Sequence, residues 1–169
     1  MPTAILLCGP PGCGKTTFRK QYLQKFVPFS TDDLIMEHAA KLGLTYGDVF
    51  EGYFKTAQRR YDETLDEALS WEQNIVIDRT HTTVKSRKRT LAKLPPFAKY
   101  KKVVIRFGFD QETLVKRVEE RGLLTGQSVP AGVVRQMCSE FTRPKFDEGF
   151  DLVTSDTVVE QMLKVMEWK

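Results

Sequence analysis

The chain reads as an α/β protein, a parallel sheet of about five strands with helices on both faces and a small helical lid. Two observations carry that expectation. Five short apolar runs alternate with longer segments whose apolar residues recur every three or four positions, and the first run leads directly into a glycine-rich turn followed by a helical pattern. A length of 169 residues, 41% hydrophobic and 28% charged, suits one domain, 1–169, with a core large enough to need no disulfide or metal staple.

In chain order, strands are expected at Ala4–Cys8, Val27–Ser30, Ile75–Asp78, Val103–Phe107 and Phe150–Thr154, each bounded by turn or polar residues. Helices are expected at Lys15–Lys25, Asp32–Lys41, Gly47–Trp71, Val84–Leu94, Gln111–Arg121, Pro130–Phe141 and Val158–Trp168. In such a sheet ligands collect at the carboxyl ends of the strands, so function belongs in the residues just after each one. Several classes drop out at this stage. No apolar run approaches the length of a membrane span, and Met1 to Cys8 lacks the charged flank and cleavage site of a signal peptide, so a cytoplasmic protein is expected. The three cysteines, Cys8, Cys13 and Cys138, have no metal-ligand spacing and cannot all pair, so they read as reduced thiols.

After the first strand stands Gly9-Pro10-Pro11-Gly12-Cys13-Gly14-Lys15-Thr16, which satisfies G-x-x-x-x-G-K-S/T between a strand and a helix. Glycines let the backbone turn and aim successive N–H groups, those of Gly12, Cys13 and Gly14 among them, at phosphate oxygens. The following helix adds its N-terminal dipole. Lys15 supplies a cation to the β- and γ-phosphates, Thr16 a hydroxyl for magnesium, and Thr17 continues the donor site. The sheet is therefore of the P-loop NTPase type, and ATP with Mg²⁺ is the expected donor.

The second strand runs into Thr31, Asp32 and Asp33 beside that loop, where a carboxylate can take the proton of an acceptor hydroxyl as it attacks the γ-phosphate. Helix capping is the competing role, and one aspartate can cap while the other faces substrate. Asp78 closes the third strand, where an acid commonly orients magnesium. Arg79 follows it, where a motor ATPase would place a second acid, so hydrolysis is disfavoured. From Arg79 to Lys102 there are nine basic side chains and no acid, against a total of 26 basic and 22 acidic residues. If that segment lines the cleft, a polyanionic acceptor is expected. Arg117 and Arg121, four apart, share a helix face ahead of Gly122, Thr125, Gly126, Ser128 and Pro130. This suits a lid over about 117–132 that brings charge onto a moving phosphoryl group.

Together these segments resemble the polynucleotide 5′-hydroxyl kinase family, through GPPGCGKTTF, STDDL, IVIDRTHTTVKSRKR, LVKRVEERG and SVPAGVVRQMCSEFTRPKFDEGFDLV. The resemblance implies a phosphotransferase in which Lys15 and Thr16 hold the β- and γ-phosphates and magnesium, Asp32 is the general base and Arg121 the lid arginine on the donor phosphates. Arg117 and Arg87 also fall on family arginine positions. On the acceptor side, Asp32 with Asp33, Arg79 and Arg87 would meet a 5′-OH end of DNA or RNA. Three departures fall on that same side: Ser30-Thr31 where the family commonly has Asn-Arg, Ile35 where phage members have an arginine, and His81 in place of an asparagine. A kinase of a hydroxymethylated base in DNA, a nucleoside or other small-molecule kinase, and a nucleotide-binding switch or toxin-like protein remain as competing functions.

Overall fold

The structure is a computed structural model that describes residues 1–96 and 98–167. Five strands, β1 (Thr3–Cys8), β2 (Val27–Phe29), β3 (Ile75–Asp78), β4 (Lys101–Arg106) and β5 (Leu152–Ser155), form one sheet in the order β2-β3-β1-β4-β5. Every neighbouring pair is parallel, with Leu6 between Ile77 and Val104 at the centre. The helices are α1 (Lys15–Tyr22), α2 (Thr31–Leu42), α3 (Tyr46–Ser70), α4 (Val84–Leu91), α5 (Gln111–Thr125), α6 (Ala131–Ser139) and α7 (Asp156–Glu167), with a 3₁₀ turn at Phe146–Glu148.

Alternation along the central strands divides the core in two, as the pleat requires. Ala4, Leu6 and Cys8 point to one face with Ile75, Ile77 and Val104, covered by Tyr61, Leu65 and Ala68 of α3 and Leu91 of α4. Ile5 and Leu7 point to the other with Val76, Val103 and Ile105, covered by Phe18 of α1, Leu114, Val115 and Val118 of α5 and Val134 of α6. A third cluster, Ile35, Ala39, Tyr46, Val49 and Ala57, joins α2 to the first half of α3, which overhangs the sheet.

Local chemistry sets the ends. A capping box of Thr45 with Asp48 starts α3, Thr83 with Ser86 starts α4, and the Asp110 side chain accepts from Thr113 N at the start of α5. The expected elements are all present, with β5 displaced by two residues at its start and Trp168 of the last expected helix outside the described residues. One boundary differs in a way that bears on the lid. Gly122 and Thr125, expected in a flexible connection, lie within α5, which ends at Gly126 in a left-handed C-cap. Gly122 is tolerated inside the helix because the returning chain lies against it: a Cβ there would meet Ser128 Cα at 3.2 Å. The connection to α6 is therefore only Gly126 to Pro130.

Candidate active site

The glycine-rich loop lies between the carboxyl end of β1 and α1. Gly12 has φ 83°, and a Cβ there would stand 2.9 Å from Val118 of α5, so the loop needs glycine for both backbone angle and packing. Buried Lys15 spans the loop, its Nζ donating to the carbonyls of Gly9 at 2.8 Å and Pro10 at 2.7 Å. Thr16 Oγ1 donates to Asp78 Oδ2 at 2.8 Å, which ties the loop to the end of β3. Thr16 and Asp78, the residues expected to serve magnesium, thus stand together, and their hydroxyl and carboxylate oxygens are donors of the kind that ion prefers.

Arg19, which sequence reasoning did not select, organises the acids. Its Nε donates to Asp78 Oδ2 at 3.0 Å and its terminal nitrogen to Asp33 Oδ2 at 2.5 Å. The available signal was its position three residues after Thr16, on the same face of α1. Asp33 is therefore drawn towards α1 and partnered by Arg19, while its side chain stays 43% exposed. Neither aspartate side chain caps α2: the Ser30 hydroxyl does so, accepting from Asp33 N at 3.1 Å.

Asp32 stands apart from that ion-paired group. It is exposed at the start of α2. Among the described residues its carboxylate accepts only from neutral donors, Tyr46 Oη at 2.8 Å and Gln127 Nε2 at 3.0 Å. Burial and then the neighbouring Asp32 charge push the Tyr46 hydroxyl well above its usual range, so it stays a donor. Tyr46 and Gln127 were also missed in the sequence, because 14 and 95 residues separate them from Asp32. The segment expected to form a lid thus meets the acid through Gln127. Arg121, one turn before the lid connection, has its Nε 3.4 Å from the Gln127 carbonyl, and its charge reaches Tyr46. Arg117, a turn earlier, instead lines a cleft of about 280 Å³ beside the loop, with Gly14, Thr17, Phe107, Asp156 and Glu160. The two arginines therefore have different neighbours, Arg117 sharing a cleft with Cys13, Gly14 and Thr17 and Arg121 standing at Gln127, whose side chain binds Asp32.

On the acceptor side Arg79 is held at the end of β3, donating to Thr31 Oγ1 at 3.0 Å and Gln58 Oε1 at 2.5 Å, with its guanidinium 4.7 Å from the Tyr61 ring centroid. Arg87 is not there. Its side chain is fully buried, its Nε and terminal nitrogen bind Glu148 at 2.7 and 2.8 Å, and it also donates to the carbonyls of His81 and Thr142. Burial alone would raise the Glu148 carboxyl, but Arg87 holds it below the usual range. An interior cation committed to these partners replaces the expected substrate contact.

His81 is likewise structural. It has φ 46°, a left-handed conformation that asparagine and histidine adopt more readily than most residues. Its Nδ1 lies 2.9 Å from the Leu7 carbonyl and Nε2 3.0 Å from Thr90 Oγ1. A carbonyl only accepts, so Nδ1 carries the proton and Nε2 accepts from Thr90. Ile35, the other departure, is fully buried under α3.

The basic segment is split by topology. Arg79 sits at the carboxyl end of the sheet, but Lys101 begins β4 at the opposite end, so the segment does not line the cleft as a unit. Lys93 pairs with Asp62. A different set of cations converges where α4 meets the turn before β5: Lys88, Arg143 and Lys145 line a groove of about 390 Å³ with Thr142, Asp147 and Glu148. The backbone of Thr142 ties this groove to Thr82, four residues beyond Asp78. The cysteines are free thiols, and burial pushes Cys8 up to about 11 despite Arg87. No helix of the described residues is long and apolar enough to cross a membrane.

Among known proteins the chain is similar to the L-seryl-tRNA(Sec) kinase of Methanococcus maripaludis, 28% identical over 163 residues and 90% of this chain. It spans 58% of that relative's length. A protein of Chloroflexus aurantiacus described as a kinase superposes with a TM-score of 0.70 at 21% identity, over 99% of this chain and 96% of that one. A chain of the Pnkp1/Rnl/Hen1 RNA repair complex superposes with a TM-score of 0.65 at 21% identity, over 82% of this chain and 43% of that one. The family model described as AAA domain matches residues 5–144. With a phosphate-binding loop at the end of β1, an acid at the end of β3 and a five-stranded parallel sheet, this chain belongs to the AAA domain family.

Proposed function

We propose that this chain transfers the γ-phosphoryl group of ATP to a 5′-OH end of DNA or RNA. The observation that carries the reading is the sorting of three neighbouring carboxylates. Asp33 and Asp78 are paired with Arg19, whereas Asp32, the residue before Asp33, is exposed, is oriented by Tyr46 and Gln127 and has no cationic partner among the described residues. An unpaired carboxylate in that place can accept a proton, and one locked to an arginine is a poor base.

In the proposed reaction the acceptor hydroxyl gives its proton to Asp32 as its oxygen bonds to the γ-phosphorus. The bond from that phosphorus to the β,γ-bridging oxygen breaks, and ADP leaves. Lys15 moves from the loop carbonyls to the β- and γ-oxygens, and Arg121 adds positive charge from the lid as the phosphoryl group moves. Magnesium, held through Thr16 with Asp78 orienting it, would supply neutralisation of the β- and γ-oxygens. Arg117 and the cleft beside the loop suit the nucleoside of the donor. The groove of Lys88, Arg143 and Lys145 supports a polyanionic acceptor, because it holds three cations against one carboxylate, Asp147, that is not paired to Arg87. The names of two of the similar proteins also point to RNA.

Labelled ATP with magnesium and a panel of 5′-OH oligonucleotides, hydroxymethylated DNA, nucleosides and seryl-tRNA tests the acceptor. The oligonucleotides should take the label first. Asp32→Asn should lower kcat by about 10²- to 10⁴-fold while ATP binding persists. Transfer at the full rate by that variant, or a preference for a neutral small alcohol, would overturn the proposal.

A further inference from the structure

The apolar stripe of α3 continues past the end of the core. Tyr46, Phe50, Phe54, Ala57, Tyr61, Leu65 and Ala68 follow one another at three- and four-residue steps, and all but two of them are buried. The exceptions are Phe50 and Phe54, each 40% exposed although they lie along the helix's own inward-facing stripe. Their rings form a continuous row with Tyr46, with centroid separations of 5.4 and 5.3 Å and tilts of 32° and 46°. Both ends of this stretch are fastened to the acceptor side of the candidate site. Tyr46 binds Asp32, and Gln58, one turn beyond Phe54, binds Arg79. The two open rings therefore lie on the length of α3 between the candidate base and the arginine at the end of β3.

We infer that Phe50 and Phe54 form a stacking platform for the first nucleobases of a single-stranded acceptor end. The inference rests on the function proposed above and deepens it. A 5′-hydroxyl delivered to Asp32 carries its own base on the same sugar, and that base needs an apolar, flat surface within one nucleotide of the carboxylate. Every base has a π-face, so aromatic platforms bind strand ends without reading sequence, while cations beside them hold the backbone. Arg79 and Arg121 flank this stretch of helix and supply that charge. A polyol or other small aliphatic acceptor would leave the two rings unused.

The test compares a 5′-OH oligonucleotide with the same strand carrying an abasic first residue. For the unaltered protein the abasic end should raise acceptor KM about 5- to 150-fold, the range expected for loss of one stacked base. Phe50→Ala and Phe54→Ala should raise KM for the normal strand towards the abasic value and leave KM for the abasic strand and for ATP unchanged. Phe50→Tyr, which keeps the ring, should behave as the parent. Equal KM for the two strands, or equal losses on both in the alanine variants, would overturn the platform. A second readout does not depend on transfer: fluorescence of a 5′-terminal 2-aminopurine should be quenched on binding, and less so by the alanine variants. If no oligonucleotide is phosphorylated but this quenching holds, the proposed function fails and the platform stands. If transfer occurs with no quenching, the reverse is true. Self-association of the chain that Phe50→Glu disperses, with quenching unaltered, would make the face a contact between copies and refute the platform.

Discussion

Protonation of His81 should be a main cause of acid destabilisation in this protein. The imidazole is 3% exposed, and burial first, with Arg79, Lys15 and Arg87 adding to it, lowers its pKa from 6.5 to about 4. Between those values the unfolded chain binds a proton that the folded chain refuses, so stability rises with pH across that window and is lost as pH falls through it. At 1.36 kcal/mol per unit, moving from pH 8 to pH 5 should remove about 2 kcal/mol through this one residue, a sizeable share of a typical 5–15 kcal/mol. His81→Asn provides the comparison, because asparagine accepts the left-handed backbone at this position but does not titrate. The variant is expected to be less stable at pH 8, since it cannot make both bonds to Leu7 and Thr90. Its difference between pH 8 and pH 5, however, should be smaller than the parent's by about 2 kcal/mol. Urea unfolding followed by far-ultraviolet circular dichroism at the two pH values measures this. His38 and the carboxylates are common to both proteins and cancel. Identical pH differences would show that His81 titrates normally, and the buried, singly protonated imidazole described here would be wrong.

Two further outcomes follow from the same geometry. Arg87→Met should destabilise the fold by about 3–5 kcal/mol in urea melts, because it strands the Glu148 carboxylate in the interior. Arg87→Met with Glu148→Leu should recover much of that loss, and an acceptor KM that rises in the double variant while stability is restored would return Arg87 to the binding site. Replacing Lys88, Arg143 and Lys145 together by Gln should flatten the dependence of log acceptor affinity on log salt by about 2, near 0.7 for each phosphate contact to a single strand. An unchanged slope would place the acceptor backbone elsewhere.

The sequence by itself determined the sheet, the order of its helices and the phosphate loop, because these rest on local periodicity and on a contiguous motif whose residue types follow from backbone geometry. Thr16 and Asp78 were legible as a pair for a similar reason: strand ends in a parallel sheet meet wherever the intervening chain leads. Only the tertiary structure decided how the charges are distributed. Arg19 is shared by Asp33 and Asp78 and leaves Asp32 to Tyr46 and Gln127, while Arg87, indistinguishable along the chain from the lysines around it, turns inward to Glu148, 61 residues away. The run from Arg79 to Lys102, uniform as a string, passes from one end of the sheet to the other, because a helix that connects parallel strands must return the chain to their amino ends. Partners of Asp32 come from α3 and from the connection between α5 and α6 for the same physical reason: side-chain hydrogen bonds depend on distance in space, and periodicity reports only which face of an element a residue occupies.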